Sequence, residues 1–509
     1  MNPTTPNPAA ATTREVPLAM DPATFRAAGH ALVDQLAELL ASVPSRPVTR
    51  GESPSAVRAA LGLDGGLPAT GSAPGPLLSE TARLLFDHSL FNGHPRFLGY
   101  ITSSPAPIGM LAEMLAAAVN PNCGAWTLSP AASEIEAQTV RWIAELIGYP
   151  TDCGGLLVSG GNMANMVGFW AARVAMADWD VRAAGLAGGR RLRAYASAET
   201  HTWIQKAADL AGLGTDAVRF IDTGDDLRMD LGQLERRIAA DRAAGELPFM
   251  VVGTAGSVST GVVDALPEIA RICRRERLWF HVDGAYGGIA ACIDGAPADL
   301  LALSGADSVA VDPHKWLYAP IEAGCALVRD AETLRKAFSY HPPYYHFDEQ
   351  ATNYVDFGPQ NSRGFRALKV WLALRHAGAA GYRRMIADDI ALAARLADVV
   401  RTRADLEFAT HDLSITTWRC VPPDLRARAG EAAVDGYLDT LNREVLSRMQ
   451  QGGEAFVSNA VIRGRYVLRA CVVNFNTRAA DVEAVAEISS RMGREIDAEL
   501  RPTELRARS

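Results

Sequence analysis

The stretch that most constrains this chain is Asp307–Tyr318, which reads DSVAVDPHKWLY. Ser308–Val311 is a short run of β-branched and small apolar residues, long enough for a buried strand. Pro313 ends that strand because it has no N–H to donate to the ladder. His314, Lys315 and Trp316 therefore fall at a strand exit, where ligands bind in α/β proteins. A lysine there is either a solvated surface charge or an amine held against a pocket to form a Schiff base with a carbonyl cofactor.

A second strand-like run, Leu278–Val282, leads into Asp283, Gly284, Ala285, Tyr286, Gly287 and Gly288. A carboxylate at such an exit is either a turn cap or a partner for the ring nitrogen of pyridoxal phosphate. That ring needs a carboxylate to stay protonated and act as an electron sink. Asp283 and Lys315 lie 32 residues apart, which leaves room for a helical crossover and one more strand.

Taken together, HVDGAYGG (281–288) and VDPHKWLY (311–318) resemble the group II pyridoxal-phosphate decarboxylases. That family includes the aromatic L-amino-acid, histidine and glutamate decarboxylases. HPRFLGY (94–100), residues 126–136 and FRALKVW (365–371) are most similar to the aromatic branch, and the resemblance runs from about residue 20 into the C-terminal region. It implies an α/β protein of fold type I. A mostly parallel seven-stranded sheet would carry the cofactor, flanked by an N-terminal helical segment and a small α+β C-terminal domain. It also implies a homodimer with shared active sites.

Composition narrows the partners. A formal charge of −8 argues against nucleic acid or an anionic membrane. No apolar run reaches the length of a membrane span, and the start lacks the basic and apolar regions of a secretory signal. Seven dispersed cysteines without a CxxC pair suggest reduced thiols and a cytoplasmic location. The ten histidines show no metal-ligand spacing, so no metal is expected.

Four segments are predicted in chain order: a disordered tail (1–19), an N-terminal helical segment that packs across the dimer (20–105), a large cofactor domain (106–368) and a small C-terminal domain (369–509). Asp21 and Pro22 open the first helix as cap and first residue, and Gly65–Pro76 reads as a linker before a helix near 79–88. The apolar helices at 106–119 and 130–147 read as core, and strands are predicted at 154–158, 193–197, 249–254 and 325–329. A helix at 365–376 is predicted to bridge to the small domain. There, helices at 382–401, 433–448 and 480–500 flank strands near 406–409, 414–420, 456–461 and 466–473.

The resemblance then assigns roles to single residues. Gly160, Gly161 and Asn162 form a glycine turn before a helix, an arrangement that also suits a phosphate on physical grounds; Asn162 stands where the family usually has Ser or Thr. His201, which on its own reads as a helix cap or a surface residue, would stack on the ring with Ala285 beneath the opposite face. Thr254, Asp312 and His314 complete the cofactor's contacts. Thr202 and Trp203 depart from the family's usual small residues, which alters the pocket wall. Tyr100, Ile101, Thr102 and Ser103 would line the substrate side, where Asn122–Gly124 replaces bulkier residues. The aromatic, aperiodic stretch 338–347 is too long for an idle connector. By resemblance it is a closing loop whose Tyr344 protonates the intermediate, with Tyr345 as the alternative one position on. Arg469 could anchor a carboxylate but reads better as a structural residue. The implied activity is decarboxylation of an L-amino acid, best fitted by an aromatic one. The alternatives are an oxidative aldehyde-forming enzyme on the same scaffold and a decarboxylase of a non-aromatic amino acid.

Overall fold

Seven strands form the central sheet: β1 (Gly154–Val158), β2 (Leu192–Ser197), β3 (Val218–Ile221), β4 (Leu247–Thr254), β5 (Trp279–Asp283), β6 (Ser308–Val311) and β7 (Gly324–Val328). Their order is β1-β7-β6-β5-β4-β2-β3. Only β7 runs antiparallel to its neighbours β1 and β6; the remaining pairs are parallel. β1, β2, β5, β6 and β7 are buried along their whole length, as strands covered on both faces must be. The sheet is therefore the mostly parallel seven-stranded one that the resemblance implies. These features come from a computed structural model that describes residues 16–342 and 351–506.

Parallel pairing has one consequence for function. β4 and β5 pair Thr254 with Asp283, and β5 and β6 pair Asp283 with Ala310. Three consecutive strands thus deliver Thr254, Asp283 and Asp312 to one edge. β1 runs in the same sense as β6 because two antiparallel pairings separate them. The helix after it, Gly161–Met176, consequently starts at that same edge. Its cap Gly160 has φ 82°, a conformation that favours glycine, and a Cβ on the facing Gly324 would come within 2.4 Å of the Gly160 carbonyl carbon.

The described residues divide into two compact units. One runs to Phe91 and includes Gln450–Gly453; the other holds Asn92–Met449 and the chain from Glu454 on. In the first, Asp21 caps helix Pro22–Ser42 by accepting from Ala23 N at 2.9 Å and Thr24 N at 3.0 Å. That helix packs on helix Pro74–His88 yet buries none of its own residues. The second contains both sheets. The small one, β8 (Leu406–Asp412), β9 (Ile415–Cys420), β10 (Ser458–Ile462) and β11 (Arg465–Cys471), is antiparallel throughout in the order β10-β11-β9-β8. Helices Ala367–Thr402, Ala432–Gly452 and Ala479–Leu500 accompany it.

Several local expectations differ from the structure. Helix Pro107–Val119 is not core: it buries only Gly109 and Ala112, while Leu111, Met114, Leu115 and Val119 stay exposed. Apolar composition says that a surface will be covered, not that its own subunit covers it. The Gly65–Pro76 linker ends early, because Pro74 already begins a helix. The bridging helix and the next one form a single element, Ala367–Thr402, broken only at Gly378 with φ 64° and ψ 165°. Between β5 and β6 the chain makes two 3-10 segments, Gly287–Cys292 and Ala298–Gly305, instead of an α-helix. Gly287, Gly288, Gly295 and Pro297 are poor α-formers and account for this.

Candidate active site at the strand exits

Lys315 follows β6 by four residues and points back at it. Its Nζ lies 3.0 Å from Asp312 Oδ2, and Asp312 is buried. His314 turns the other way, its Nδ1 2.7 Å from the Ala323 carbonyl and its Nε2 3.8 Å from Asp312 Oδ2. Ser103 Oγ donates to the His314 carbonyl at 2.7 Å. Behind Lys315 the turn is locked: Trp316 Nε1 and Tyr318 OH both donate to Asp389 Oδ2, at 3.0 and 2.7 Å. Burial pushes the Asp389 carboxyl up to about 7.

Lys315 opens onto a cavity, and Asp283 lines it too. Both carboxylate oxygens of Asp283 are engaged. Trp203 Nε1 donates to Oδ2 at 2.7 Å; Asn165 Nδ2 and the Ala285 amide donate to Oδ1, each at 3.2 Å. Thr254 also lines the cavity, its hydroxyl 3.4 Å from that of Thr200 and its amide donating to Asp264 Oδ2 at 2.9 Å. Ala285 and Asp312 press on the helix start so closely that a Cβ on Gly161 would sit 3.0 Å from Ala285 Cβ and 2.5 Å from Asp312 Oδ2.

His201 joins the same cavity from the loop before helix Trp203–Leu210, and one side of it remains exposed. Its Nδ1 accepts from the Trp203 amide at 3.3 Å, so it also caps that helix. Desolvation pulls its imidazole below the usual range; Asp283 opposes that and Lys315 adds to it. Gly161 and Asn162 line the cavity, and Asn162 Oδ1 is buried without a hydrogen-bond partner. Gly160 packs beside His314, with 3.4 Å from its would-be Cβ to His314 Cε1.

Other singled-out residues lie elsewhere. Tyr100, Ile101, Thr102 and Ser103 are not part of the cavity wall; Tyr100 is exposed with φ 53°, and Ser103 reaches the site only through the His314 carbonyl. Asn122–Gly124 packs on the 355–363 segment, where Cys123 N donates to the Arg363 carbonyl at 2.9 Å and Val355 N to that of Gly124 at 2.9 Å. Arg469 is buried. One nitrogen donates to the Tyr100 carbonyl at 3.1 Å and to Ser458 Oγ at 2.9 Å. Tyr344 and Tyr345 lie outside the described residues.

Of the groups on Asp283, Asn165 has no role in the sequence reading, nor does Glu199 of the cavity wall. Asn165 had a detectable signal, a polar residue in the middle of an otherwise apolar run, 163–172. Trp203 was visible only as a departure from the family pattern.

The residues present suit pyridoxal phosphate. An amine and a carboxylate face one cavity, a helix N-terminus with free N–H groups adjoins it, and Asn162 and Asp312 each keep a buried oxygen without a partner. Comparisons with known proteins agree. The pyridoxal-dependent decarboxylase conserved domain matches residues 69–417. An aromatic-L-amino-acid decarboxylase of Bacillus atrophaeus is 31% identical over 463 residues, covering 90% of this chain and 93% of that protein. Among solved structures, mouse CSAD superimposes with a TM-score of 0.88 at 27% identity, over 93% of this chain and 99% of that one. Oryza sativa TDC, solved with PLP and tryptamine, gives 0.85 at 28% identity, over 95% and 100%.

Proposed function

Because this chain belongs to the pyridoxal-dependent decarboxylase family, we propose that it converts an aromatic L-amino acid to its amine and CO2. The observation that carries the reading is Lys315 Nζ, 3.0 Å from Asp312 at a cavity that Asp283 also lines. Bound pyridoxal phosphate supplies an electron sink for the pair released as the bond to the carboxylate breaks. Lys315 would hold it through its amine, Asp283 would hold the proton on its ring nitrogen, and Gly161 and Asn162 at the helix N-terminus would take its phosphate. His201 and Ala285 would bound the slot on its two sides, with Gly160, Thr254, Asp312 and His314 supporting these contacts.

Substrate class follows from charge. Apart from Lys315 and His201, no basic side chain lines the cavity among the described residues, and Glu199 adds negative charge. An acidic side chain would find no counter-ion there, whereas an aromatic one needs none. The B. atrophaeus relative points the same way. Tyr100–Ser103 would then serve the substrate's entry side. By the resemblance, Tyr344 would return a proton to the substrate's α-carbon, a transfer that a tyrosine can make.

A homodimer with shared active sites fits two exposed apolar faces. Helix Pro107–Val119 presents Leu111, Met114, Leu115 and Val119, and helix Pro22–Ser42 presents Phe25, Val33 and Leu40. The four expected segments remain our division of the chain, and a cytoplasmic location accords with its dispersed cysteines. No helix among the described residues is long and apolar enough to cross a membrane.

Incubating the loaded protein with a panel of amino acids tests the reading. CO2 and amine should appear in equal amounts from aromatic substrates and not from acidic ones; CO2 from glutamate alone would overturn the substrate class. Tyr344→Phe should leave CO2 release intact but, with O2 as oxidant, divert product from amine to aldehyde, ammonia and hydrogen peroxide. Unchanged amine in Tyr344→Phe with loss in Tyr345→Phe would move the proton donor by one residue. Aldehyde as the wild-type product would make this the oxidative enzyme.

A further inference from the structure

We infer that His281 and Asn165 are positioning residues: His281 locks the amide of Asn165, and Asn165 fixes the orientation in which Asp283 meets the cofactor. This rests on the reading of Asp283 given above and extends it to residues that do not touch the cofactor.

On β5 successive side chains alternate, so Trp279, His281 and Asp283 project from one face. That face meets helix Gly161–Met176. Asn165 Nδ2 donates to the Gly161 carbonyl at 2.9 Å and to Asp283 Oδ1 at 3.2 Å. A carbonyl accepts only, and so does a carboxylate, so the amide nitrogen must occupy that side. Asn165 Oδ1 then requires a donor, and the atom beside it is His281 Nε2 at 2.7 Å. His281 therefore carries its proton on Nε2 and accepts at Nδ1, where Ser308 Oγ lies 2.7 Å away. Ser308 can donate because its own oxygen accepts Trp279 Nε1–H at 2.8 Å. All four hydrogen bonds run in one direction, from Trp279 to Asp283, and bonds aligned in that way reinforce one another.

Two further observations separate this chain of bonds from ordinary core packing. His281 is fully buried, and that burial pulls its imidazole down to about 4, so one neutral tautomer persists at neutral pH. The helix also gives way to it. A Cβ on Gly168 would stand 2.8 Å from His281 Cε1 and 2.9 Å from Nδ1. Glycine in a helix interior costs roughly 0.5–1 kcal/mol against alanine, and here it makes room for a polar ring where an aliphatic side chain would be easier to bury. Without the His281 donor Asn165 Oδ1 is left buried without its hydrogen bond, and the amide loses the contact that holds it against Asp283 from the far side. The Trp203 indole holds the other carboxylate oxygen, so loss of the Asn165 bond would leave Oδ1 to the Ala285 amide, a backbone group at a long 3.2 Å, and let the carboxylate shift.

The test uses full-length protein loaded with pyridoxal phosphate labelled with 15N in the ring. Ring 15N chemical shift, cofactor dissociation constant, and kcat and KM are measured for wild type, His281→Leu, His281→Gln and Asn165→Ala. His281→Leu should move the 15N signal from its wild-type position and lower kcat about 10-fold, with KM changed less than about 2-fold. His281→Gln keeps a donor toward Asn165 and should recover most of both. Asn165→Ala suits a helix and should move the signal the same way even where His281→Leu does not fold. A wild-type 15N shift and kcat in Asn165→Ala, or equal deficits in the Leu and Gln variants, would overturn the inference. A wild type that takes up no pyridoxal phosphate would instead remove the reading on which it rests.

Discussion

Lys315 stands between two regions that use the same parts for different ends. On the cavity side, Asp283 accepts from an indole, an amide side chain and a backbone amide. On the far side, Asp389 accepts from an indole and a phenol. Asp283 opens onto the cavity, where a cationic partner can meet it. Asp389 is sealed in the core, where desolvation dominates its titration. A carboxylate with an indole donor thus faces a cavity in one place and is a buried structural hub in the other. What separates them is access to a charged partner, not the donors.

The two regions also answer pH with opposite signs. His281, behind Asp283, titrates near 4 in the folded protein against an ordinary 6.5. The folded state binds fewer protons in that window, so stability present above 6.5 is lost as pH falls towards 4. Asp389 titrates near 7 against an ordinary 3.8. There the folded state binds more protons, so stability present below 3.8 is lost as pH rises towards 7.

Three substitutions sharpen or break this comparison. Lys315→Ala should have the largest effect: catalysis falls by roughly 10³-fold or more, and borohydride no longer fixes the cofactor to the chain, as read by mass spectrometry. Fixation through another lysine would remove Lys315 from its role. Asp283→Asn keeps the shape but not the charge and should cost roughly 10- to 150-fold in kcat, from ~1.5–3 kcal/mol of charge-assisted bonding, with little change in melting temperature. Asp389→Asn should do the reverse. Activity stays within about 3-fold, as expected away from the reacting atoms, while the decline in melting temperature between pH 4 and 7 flattens. The penalty removed is at most about 4 kcal/mol; Asp264, which burial raises to about 6, keeps a residual slope. An Asp389→Asn protein that loses activity as Asp283→Asn does would erase the distinction between the two regions.

By itself the sequence determined the strand exits. The Ser308–Val311 run with Pro313 after it, and Leu278–Val282 ahead of Asp283, follow local rules of β-branching, proline and glycine, and these need no knowledge of distant residues. The motifs around Asp283 and Lys315 likewise named the family, and the glycine turn at 160–161 announced a helix N-terminus. The connection between β5 and β6 misled, since composition overruled the expected helix, and helix Pro107–Val119 showed that an apolar run does not say what will cover it. Only the tertiary structure decided which donors reach Asp283. Trp203 lies 80 residues from it and Asn165 lies 118 away, while His281 finds Asn165 across 116. Those contacts depend on the order in which parallel strands pair and on how closely one helix can approach the sheet at Gly168. Hydrogen bonds act over about 3 Å, so placing them requires the packed fold, whereas a strand and its end can be read from the residues that compose them.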